Sequence, residues 1–326
     1  MEVMKKTKIF IHSWVPEDLK SKLDDIFDID CHDASDEILS GERLFNRVKD
    51  VEGLIAQGPI IDKDLLSFCP NLKIVSNVAV GVDNIDVLAC TNKNVQVTNT
   101  PGINTQAVAD MSMALFLSVV RRVPEGDKMV RAGKFVGNPY PLLWGGDLQN
   151  ENLGIIGLGS IGKEVAKRAM PFGLNIKYFN RNRVSQAIES ELKAEWMTLD
   201  DLLASSRYVI ILCPLTDETR HLIKLKELKL LGSKGFLINI ARGPIVKESD
   251  LVYALENKII SGCALDVYEF EPKYDIKLSK MDNVVLTPHA GSASVRARTG
   301  MVELAAKNIE NFFLNNEAIN PVNKLK

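Results

Sequence analysis

Short apolar segments alternate along the chain with segments in which apolar residues recur at helical spacing. The short segments are rich in β-branched residues and cover 8–11, 53–56, 73–78, 154–157, 176–179, 208–212 and 236–240. Alternation of this kind predicts βαβ units on parallel sheets. A first series runs to about Val97, a long helical segment follows, and a second series begins at Leu153. The pattern therefore predicts an α/β fold with two doubly wound parallel-sheet domains.

The helical segment over residues 106–120 is apolar on nearly every face. A helix without a polar side must be covered all round. Either a position between the two domains or an interface between two copies of the chain would cover this helix. We expect the protein to form a homodimer. Residues 134–149, which include Trp144, are rich in Gly, Pro and aromatic side chains without a clear period. They predict an interdomain or interfacial loop that takes part in the same dimer.

Composition narrows the class of protein. The 326 residues are 46% hydrophobic and 25% charged, which predicts two globular domains. Lys plus Arg (40) nearly balances Asp plus Glu (42), so nucleic acid is not an expected partner.

The apolar run at residues 111–120 is too short for a membrane span, and no signal peptide is expected. The scattered cysteines have no metal-site spacing, so we expect no metal and a reducing, cytoplasmic setting: Cys31, Cys69, Cys90, Cys213, Cys263.

A glycine motif opens the second series. Gly157, Gly159 and Gly162 stand in Gly157-Leu158-Gly159-Ser160-Ile161-Gly162, between a predicted strand and a predicted helix over residues 163–170. In that context the first glycine permits a tight turn, the second admits a pyrophosphate, and the third lets the helix pack on the strand. The motif predicts a dinucleotide site at the helix N-terminus.

The end of the next strand indicates which dinucleotide binds. NAD enzymes place an acid there to accept from the ribose 2′-hydroxyl, whereas this chain has Asn180, Arg181 and Arg183. Guanidinium groups pair with a 2′-phosphate that a carboxylate would repel. We therefore expect NADP(H) to be preferred and NAD(H) to remain possible. The alternative is that both arginines are solvated loop residues.

Three segments after predicted strands carry candidate chemistry: 239–243, 265–272 and 287–292. Residues just beyond the carboxyl ends of parallel strands face the ligand crevice. Arg242, Glu271 and His289 would supply a cation for a carboxylate, a carboxylate to orient a donor, and a proton donor for a carbonyl oxygen. Glu269 is an alternative partner for His289. The other histidines, His12, His32 and His221, are interpreted as structural, the last of them at a helix start.

These segments, the glycine motif and residues 79–86 and 99–102 closely resemble the D-isomer-specific 2-hydroxyacid dehydrogenases over nearly the whole chain. The resemblance implies that Arg242 binds the substrate carboxylate and carbonyl, that His289 is the acid/base, and that Glu271 pairs with it. It also implies that the N–H groups around Val80 and Gly81 help to hold the carboxylate. The same resemblance gives further residues at the cofactor, with Asp266 facing the nicotinamide amide: Cys213, Pro214, Ile240, Ala241, Asp266, His289, Gly291.

The pattern along the chain also predicts a domain organisation. A last helical pattern over residues 292–314 follows a full second series, so we expect this helix to return to the first domain. Residues 1–100 and 292–326 would then form a flavodoxin-like substrate-binding domain, into which a Rossmann dinucleotide-binding domain of residues 101–291 is inserted. The ligand is expected in the cleft between them.

The arginines after the second strand resemble those of NADPH-dependent glyoxylate, hydroxypyruvate and 2-ketogluconate reductases, and the substrate among these stays open. One alternative is an NAD-dependent dehydrogenase of the D-lactate or phosphoglycerate type. Another is a dinucleotide-sensing binding protein similar to the transcriptional corepressors that share the fold.

Overall fold

The computed structural model describes residues 6–32, 39–137 and 141–325. These residues divide into two compact units: unit 1 comprises Met1–Asn104 and Ser294–Lys326, and unit 2 comprises Thr105–Ala293. The strands are, in chain order, β1 Lys8–His12, β2 Asp28–Cys31, β3 Gly53–Ala56, β4 Ile74–Asn77, β5 Gln96–Thr98, β6 Asn152–Ile156, β7 Asn175–Phe179, β8 Glu195–Trp196, β9 Tyr208–Ile211, β10 Phe236–Asn239, β11 Gly262–Leu265 and β12 Val284–Leu286. The α-helices are α1 Glu17–Ile26, α2 Gly41–Val48, α3 Lys63–Phe68, α4 Val87–Asn92, α5 Thr105–Val120, α6 Val123–Arg131, α7 Ser160–Ala169, α8 Gln186–Leu192, α9 Leu199–Ser205, α10 Leu225–Leu231, α11 Glu248–Glu256 and α12 Val295–Asn315.

Unit 1 is a parallel sheet with helices on both faces. Within the described residues its five strands lie in the order β2-β1-β3-β4-β5, which is the flavodoxin-like order. One face packs against α1 and α12, and the other against α2, α3 and α4. The last helix, α12, contacts β3 and β4, so the end of the chain completes the unit that its beginning starts.

Unit 2 repeats this architecture around the second series of strands. In the part of the chain that is described, its seven parallel strands lie in the order β12-β11-β10-β9-β6-β7-β8. The strand order reverses between β6 and β9, and ligands bind beyond the carboxyl ends of strands at such a reversal. Helices α5, α7 and α8 cover one face, and α9, α10 and α11 cover the other. The predicted fold class, two doubly wound parallel sheets, is confirmed.

Within the single chain, residues 106–120 are covered on one face of the helix only, so the expected cover by a dimer partner stays a prediction. Helix α5 packs on α7 and on β10, β11 and β12 through residues such as Phe116, which is fully buried. Its opposite face leaves Gln106, Asp110 and Ala114 exposed. The Asp110 carboxylate accepts from Nε of Arg168 at 2.7 Å, so part of this face is polar.

Two further sequence predictions concern long segments. The loop predicted over residues 134–149 has no helix or strand in its described parts, 134–137 and 141–149, and Asn138, Pro139 and Tyr140 lie outside the described residues. Among the helices described, none is both long and apolar enough to cross a membrane.

Candidate active site

The glycine loop between β6 and α7 is shaped by close backbone contacts. Gly157 has φ of +105°, which ends β6 one residue earlier than the hydrophobic pattern predicted. A Cβ atom at Gly157 would lie 2.6 Å from the backbone nitrogen of Cys213, so only glycine fits beside the segment that follows β9. Cys213 thus lies beside the glycine loop, and contact of Cys213 and Pro214 with a cofactor stays a prediction. Burial raises the pKa of the Cys213 thiol to about 11, which keeps it neutral.

The other two glycines have different surroundings. A Cβ at Gly162 would collide with the carbonyl oxygen of Gly157, whereas a Cβ at Gly159 would meet nothing within 4 Å. Gly159 is the N-cap of the ten-residue helix α7 and has no side-chain cap bond. Open space in front of a glycine at a helix N-terminus suits a pyrophosphate, because backbone N–H groups point at it. The loop therefore fits the dinucleotide that the sequence predicts.

Asn180 follows β7, where an acid would mark NAD. Its Oδ1 atom accepts from the N–H of Leu158 at 2.7 Å, and its backbone oxygen accepts from Nε1 of Trp196 at 3.1 Å. The side chain thus braces the glycine loop. This contact was not predicted, since it joins residues 22 positions apart.

The two arginines after β7 lie in different surroundings. Nε and Nη2 of Arg183 donate to the two carboxylate oxygens of Glu189, each at 2.7 Å. These bonds, with one from the Tyr178 hydroxyl, lower the pKa of Glu189 to about 2. A hydrogen bond from Thr216 lowers the pKa of Glu218, and the charge of Arg181 adds to that shift. Arg181 therefore lies within electrostatic reach of the turn after β9, while Glu189 holds Arg183.

Arg242 follows β10 in a segment with little freedom. Asn239, buried at the end of that strand, donates through Nδ2 to the Arg242 carbonyl at 3.0 Å and accepts from the Ala241 N–H at 3.2 Å. Gly243 has no room for a side chain, because a Cβ there would collide with the carbonyl of Tyr268. The backbone on both sides of Arg242 is thus fixed. Ile240, predicted at the cofactor, is buried in the same segment.

His289 and Glu271 form a hydrogen-bonded pair. The distance between His289 Nδ1 and Glu271 Oε2 is 2.8 Å, and the other oxygen, Oε1, accepts from the Tyr268 N–H at 2.9 Å. Burial would raise the pKa of Glu271, but bonds from His289 and Tyr268 and the charges of His289 and Arg242 lower it overall. The three predicted catalytic residues therefore share one electrostatic environment at the carboxyl ends of β10, β11 and β12.

Asp266 holds the loop that carries His289. Its buried carboxylate accepts from the Thr287 hydroxyl at 2.6 Å, from the Ala290 N–H at 2.7 Å and from the Gly291 N–H at 2.8 Å. Its backbone oxygen accepts from the His289 N–H at 2.8 Å. Sequence reasoning missed this anchoring, and contact of Asp266 with a nicotinamide stays a prediction. His289 itself has φ of +51°, an uncommon conformation for a residue with a side chain, and the surrounding bonds maintain it.

Glu269 pairs with a different histidine. Its Oε1 atom lies 2.6 Å from Nε2 of His221, and its Oε2 atom accepts from the N–H of Glu248 at 2.8 Å. The alternative in which Glu269 is the partner of His289 is therefore wrong. His221 also does not start a helix, since it lies in a turn and α10 begins at Leu225.

Val80 and Gly81, the predicted carboxylate ligands, belong to unit 1. They follow β4 in an irregular loop that begins after Asn77. The side chain of Val80 is 40% exposed.

Comparison with known proteins assigns the family. Residues 113–291, more than half of the chain, match the family model described as D-isomer specific 2-hydroxyacid dehydrogenase, NAD binding domain. The chain belongs to this family. A glyoxylate reductase of Pyrococcus horikoshii is 45% identical over 309 residues, which cover 93% of this chain and 92% of that protein. A glyoxylate reductase of Pyrococcus furiosus is 42% identical and covers 93% and 91%.

Solved structures agree with the family assignment. An NADPH-dependent glyoxylate/hydroxypyruvate reductase of Sinorhizobium meliloti, in complex with NADP and malonate, matches with a TM-score of 0.85 and 32% identity over 98% of this chain and 97% of that one. A putative D-isomer specific 2-hydroxyacid dehydrogenase of a Polaromonas species matches with a TM-score of 0.90 and 31% identity over 98% and 100%. This member of the family is thus an oxidoreductase that transfers hydride between a nicotinamide dinucleotide and a 2-hydroxy or 2-keto acid.

Proposed function

We propose that the chain reduces glyoxylate, and with it hydroxypyruvate, to the corresponding 2-hydroxy acid with NADPH in preference to NADH. The observation that carries this proposal is the His289–Glu271 pair beside Arg242 at the carboxyl ends of three adjacent strands. The names of the similar reductases support the choice of substrate, and 2-ketogluconate is the competing keto acid. Unit 1 would bind the substrate and unit 2 the dinucleotide.

The pair would work as a positioned acid. Nδ1 of His289 faces the Glu271 carboxylate, so Nε2 is the atom left to donate a proton to the substrate carbonyl oxygen. The carboxylate stabilises the imidazolium before the proton leaves, and it orients the ring. In the reverse direction the neutral ring accepts the proton of the 2-hydroxyl group. When bound, the dinucleotide supplies or accepts the hydride.

Arg242 would hold and polarise the substrate. A guanidinium offers planar paired donors that match a carboxylate and an adjacent carbonyl oxygen. Its backbone is fixed by Asn239 and by the tight contact of Gly243 with Tyr268, so its position needs little reorganisation. Gly157, Gly159 and Gly162 would receive the pyrophosphate at the N-terminus of α7.

The preference for NADPH would come from the residues after β7. Asn180 introduces no negative charge there, and Arg181 would pair with the 2′-phosphate of the adenine ribose. Arg183 forms an ion pair with Glu189. Arg181 is therefore the arginine that we expect to bind the phosphate. A carboxylate at position 180 would have repelled the phosphate.

A substrate panel at fixed NADPH concentration tests the function. We expect the highest kcat/KM for glyoxylate, a comparable value for hydroxypyruvate, and lower values for pyruvate and 2-ketogluconate. A kcat/KM for 2-ketogluconate above that for glyoxylate would move the assignment to that substrate. Equal kcat/KM with NADH and NADPH would remove the cofactor preference and leave the reaction in place.

A homodimer is also part of the proposal. The face of α5 with Gln106, Asp110 and Ala114 is exposed in the single chain, and Trp144 in the loop after α6 is 59% exposed. Cover from a second copy would remove both surfaces from water. Sedimentation equilibrium at micromolar concentration tests this, and a monomer there would overturn it.

A further inference from the structure

The carbonyl groups of the loop after β4 accept hydrogen bonds from other residues of unit 1. The carbonyl oxygen of Ala79 accepts from the Thr100 N–H at 3.0 Å, that of Val80 from Nδ2 of Asn99 at 2.8 Å, and that of Gly81 from Nδ2 of Asn77 at 2.8 Å. Three successive carbonyls are thus bound by donors at the carboxyl ends of β4 and β5. Backbone acceptors satisfied in this way need no contact with solvent or ligand.

The N–H groups of the same peptide units point the other way. In a trans peptide the N–H and C=O bonds are directed oppositely, so the N–H groups of Val80, Gly81 and Val82 turn away from Thr100, Asn99 and Asn77. Within the described residues none of these three N–H groups donates to a protein acceptor. Successive N–H groups on one side of a loop form a concave site for an anion.

Asn77 is itself held in one orientation. It is fully buried, and its amide exchanges hydrogen bonds with the amide of Asn84, at 3.2 Å in one direction and 3.3 Å in the other. Asn84 also donates to the carbonyl of Pro59, after β3, at 3.0 Å. The loop is thereby fixed to two strand ends of the sheet.

We propose that Asn77, Asn84 and Asn99 are positioning residues for substrate binding, because they hold the carbonyls of residues 80 and 81 back and so aim three N–H groups at the substrate carboxylate. Val82 joins Val80 and Gly81 as a donor. This inference rests on the proposed function, since it takes a 2-keto acid as the ligand. The asparagines touch no reacting atom and act only through the loop.

Replacement of Asn99 by alanine tests the inference at a side chain that is not buried, and Asn77→Ala is the second variant. Either change frees one carbonyl to rotate toward the anion, so we expect KM for glyoxylate and Ki for oxalate to rise about tenfold, the effect of weakening one charge-assisted hydrogen bond. The Kd for NADPH and the Tm of Asn99→Ala should stay unchanged. Reduction of glycolaldehyde, which lacks the carboxylate, should lose less than threefold in kcat/KM.

Asn311→Ala is the matched control, because Asn311 also lies in unit 1 and donates to a backbone carbonyl, that of Glu317, at 2.7 Å. This control should leave KM and Ki unchanged. Equal losses for glyoxylate and glycolaldehyde in Asn99→Ala would show a merely structural role and overturn the inference. If the unmodified enzyme reduces no 2-keto acid, the proposed function fails, while calorimetry of oxalate with the NADPH complex still tests the loop. Absence of oxalate binding there would overturn the inference as well.

Discussion

The Oε2 atom of Glu271 lies 2.8 Å from Nδ1 of His289. Two positions earlier, Glu269 lies 2.6 Å from His221 instead. One short segment therefore supplies the carboxylates of two separate imidazole pairs, and the charge of Arg242 acts on Glu271 of the first pair. The neighbouring pair provides matched controls for tests of the first.

His289→Asn is expected to lower kcat by about 100-fold or more, the usual contribution of a positioned general acid or base. Asparagine keeps a polar side chain but transfers no proton. His221→Asn is the control, because an amide can still donate to Glu269, and we expect its kcat to change by less than about threefold. Steady-state kinetics with NADPH titrations measure both variants. Similar losses in the two would assign the effect to structure rather than to proton transfer.

Glu271→Gln should move the pH profile of the reduction. The lowered pKa of Glu271 keeps this carboxylate ionised at neutral pH, and the negative charge favours the imidazolium form of His289. As the pH rises, the variant without this negative charge should therefore lose activity at a lower pH than the unmodified enzyme. The same change at Glu269, which faces His221, should leave the profile in place. A profile that moves only in Glu269→Gln would contradict the assignment.

Arg242→Lys should raise KM and lower kcat together. An ammonium group is a point charge and cannot supply the planar paired donors of a guanidinium. Both ground-state binding and stabilisation of the transition state are then weakened. A change in KM alone would limit Arg242 to substrate binding. The surface variant Arg131→Lys, whose partner is Asp127 on the same helix, is the control and should show neither effect.

Arg181→Ser should reduce the preference for NADPH over NADH. A charge-assisted hydrogen bond to phosphate contributes about 1.5 to 3 kcal/mol, so the ratio of kcat/KM values should fall by roughly tenfold to a hundredfold. Asn180→Asp combined with Arg181→Ser should invert the preference, since aspartate can still accept from Leu158 N–H while it repels the phosphate. Added salt should weaken the preference of the unmodified enzyme. No change in Arg181→Ser would exclude this arginine from the phosphate site.

Glu189→Gln should destabilise the protein at neutral pH and have less effect in acid. The folded-state pKa of Glu189, about 2, lies below its ordinary value of 4.5. Its ion pair therefore contributes stability above pH 4.5, and that contribution is lost as the pH falls towards 2. Urea unfolding of wild type and variant at pH 7 and pH 3 should show a difference that shrinks at the lower pH. Glu191→Gln, at an exposed carboxylate 3.3 Å from Lys167, is the control and should show no such trend.

Two strands at sheet edges, β2 and β8, could not be predicted from the hydrophobic pattern. Strand β2 has the sequence DIDC with no fully buried residue, and β8 is two residues long. Neither forms an apolar run, because an edge strand pairs on one side only and tolerates polar residues. The central strands β3, β4 and β9 are buried at every position, and the continuous apolar runs of β3 and β9 made those two strands predictable.

The sequence by itself determined the two parallel sheets, the glycine loop and the residue types that follow the strand ends. These features depend on local patterns: burial on both faces of a strand, the conformational freedom of glycine, and the position of polar residues after apolar runs. Only the tertiary structure decided that Glu271 rather than Glu269 meets His289, that Glu189 holds Arg183, and that Asp266 anchors the His289 loop. The physical reason is that these contacts depend on side-chain direction and on backbone groups brought together from different strand ends, which no periodicity along the chain encodes.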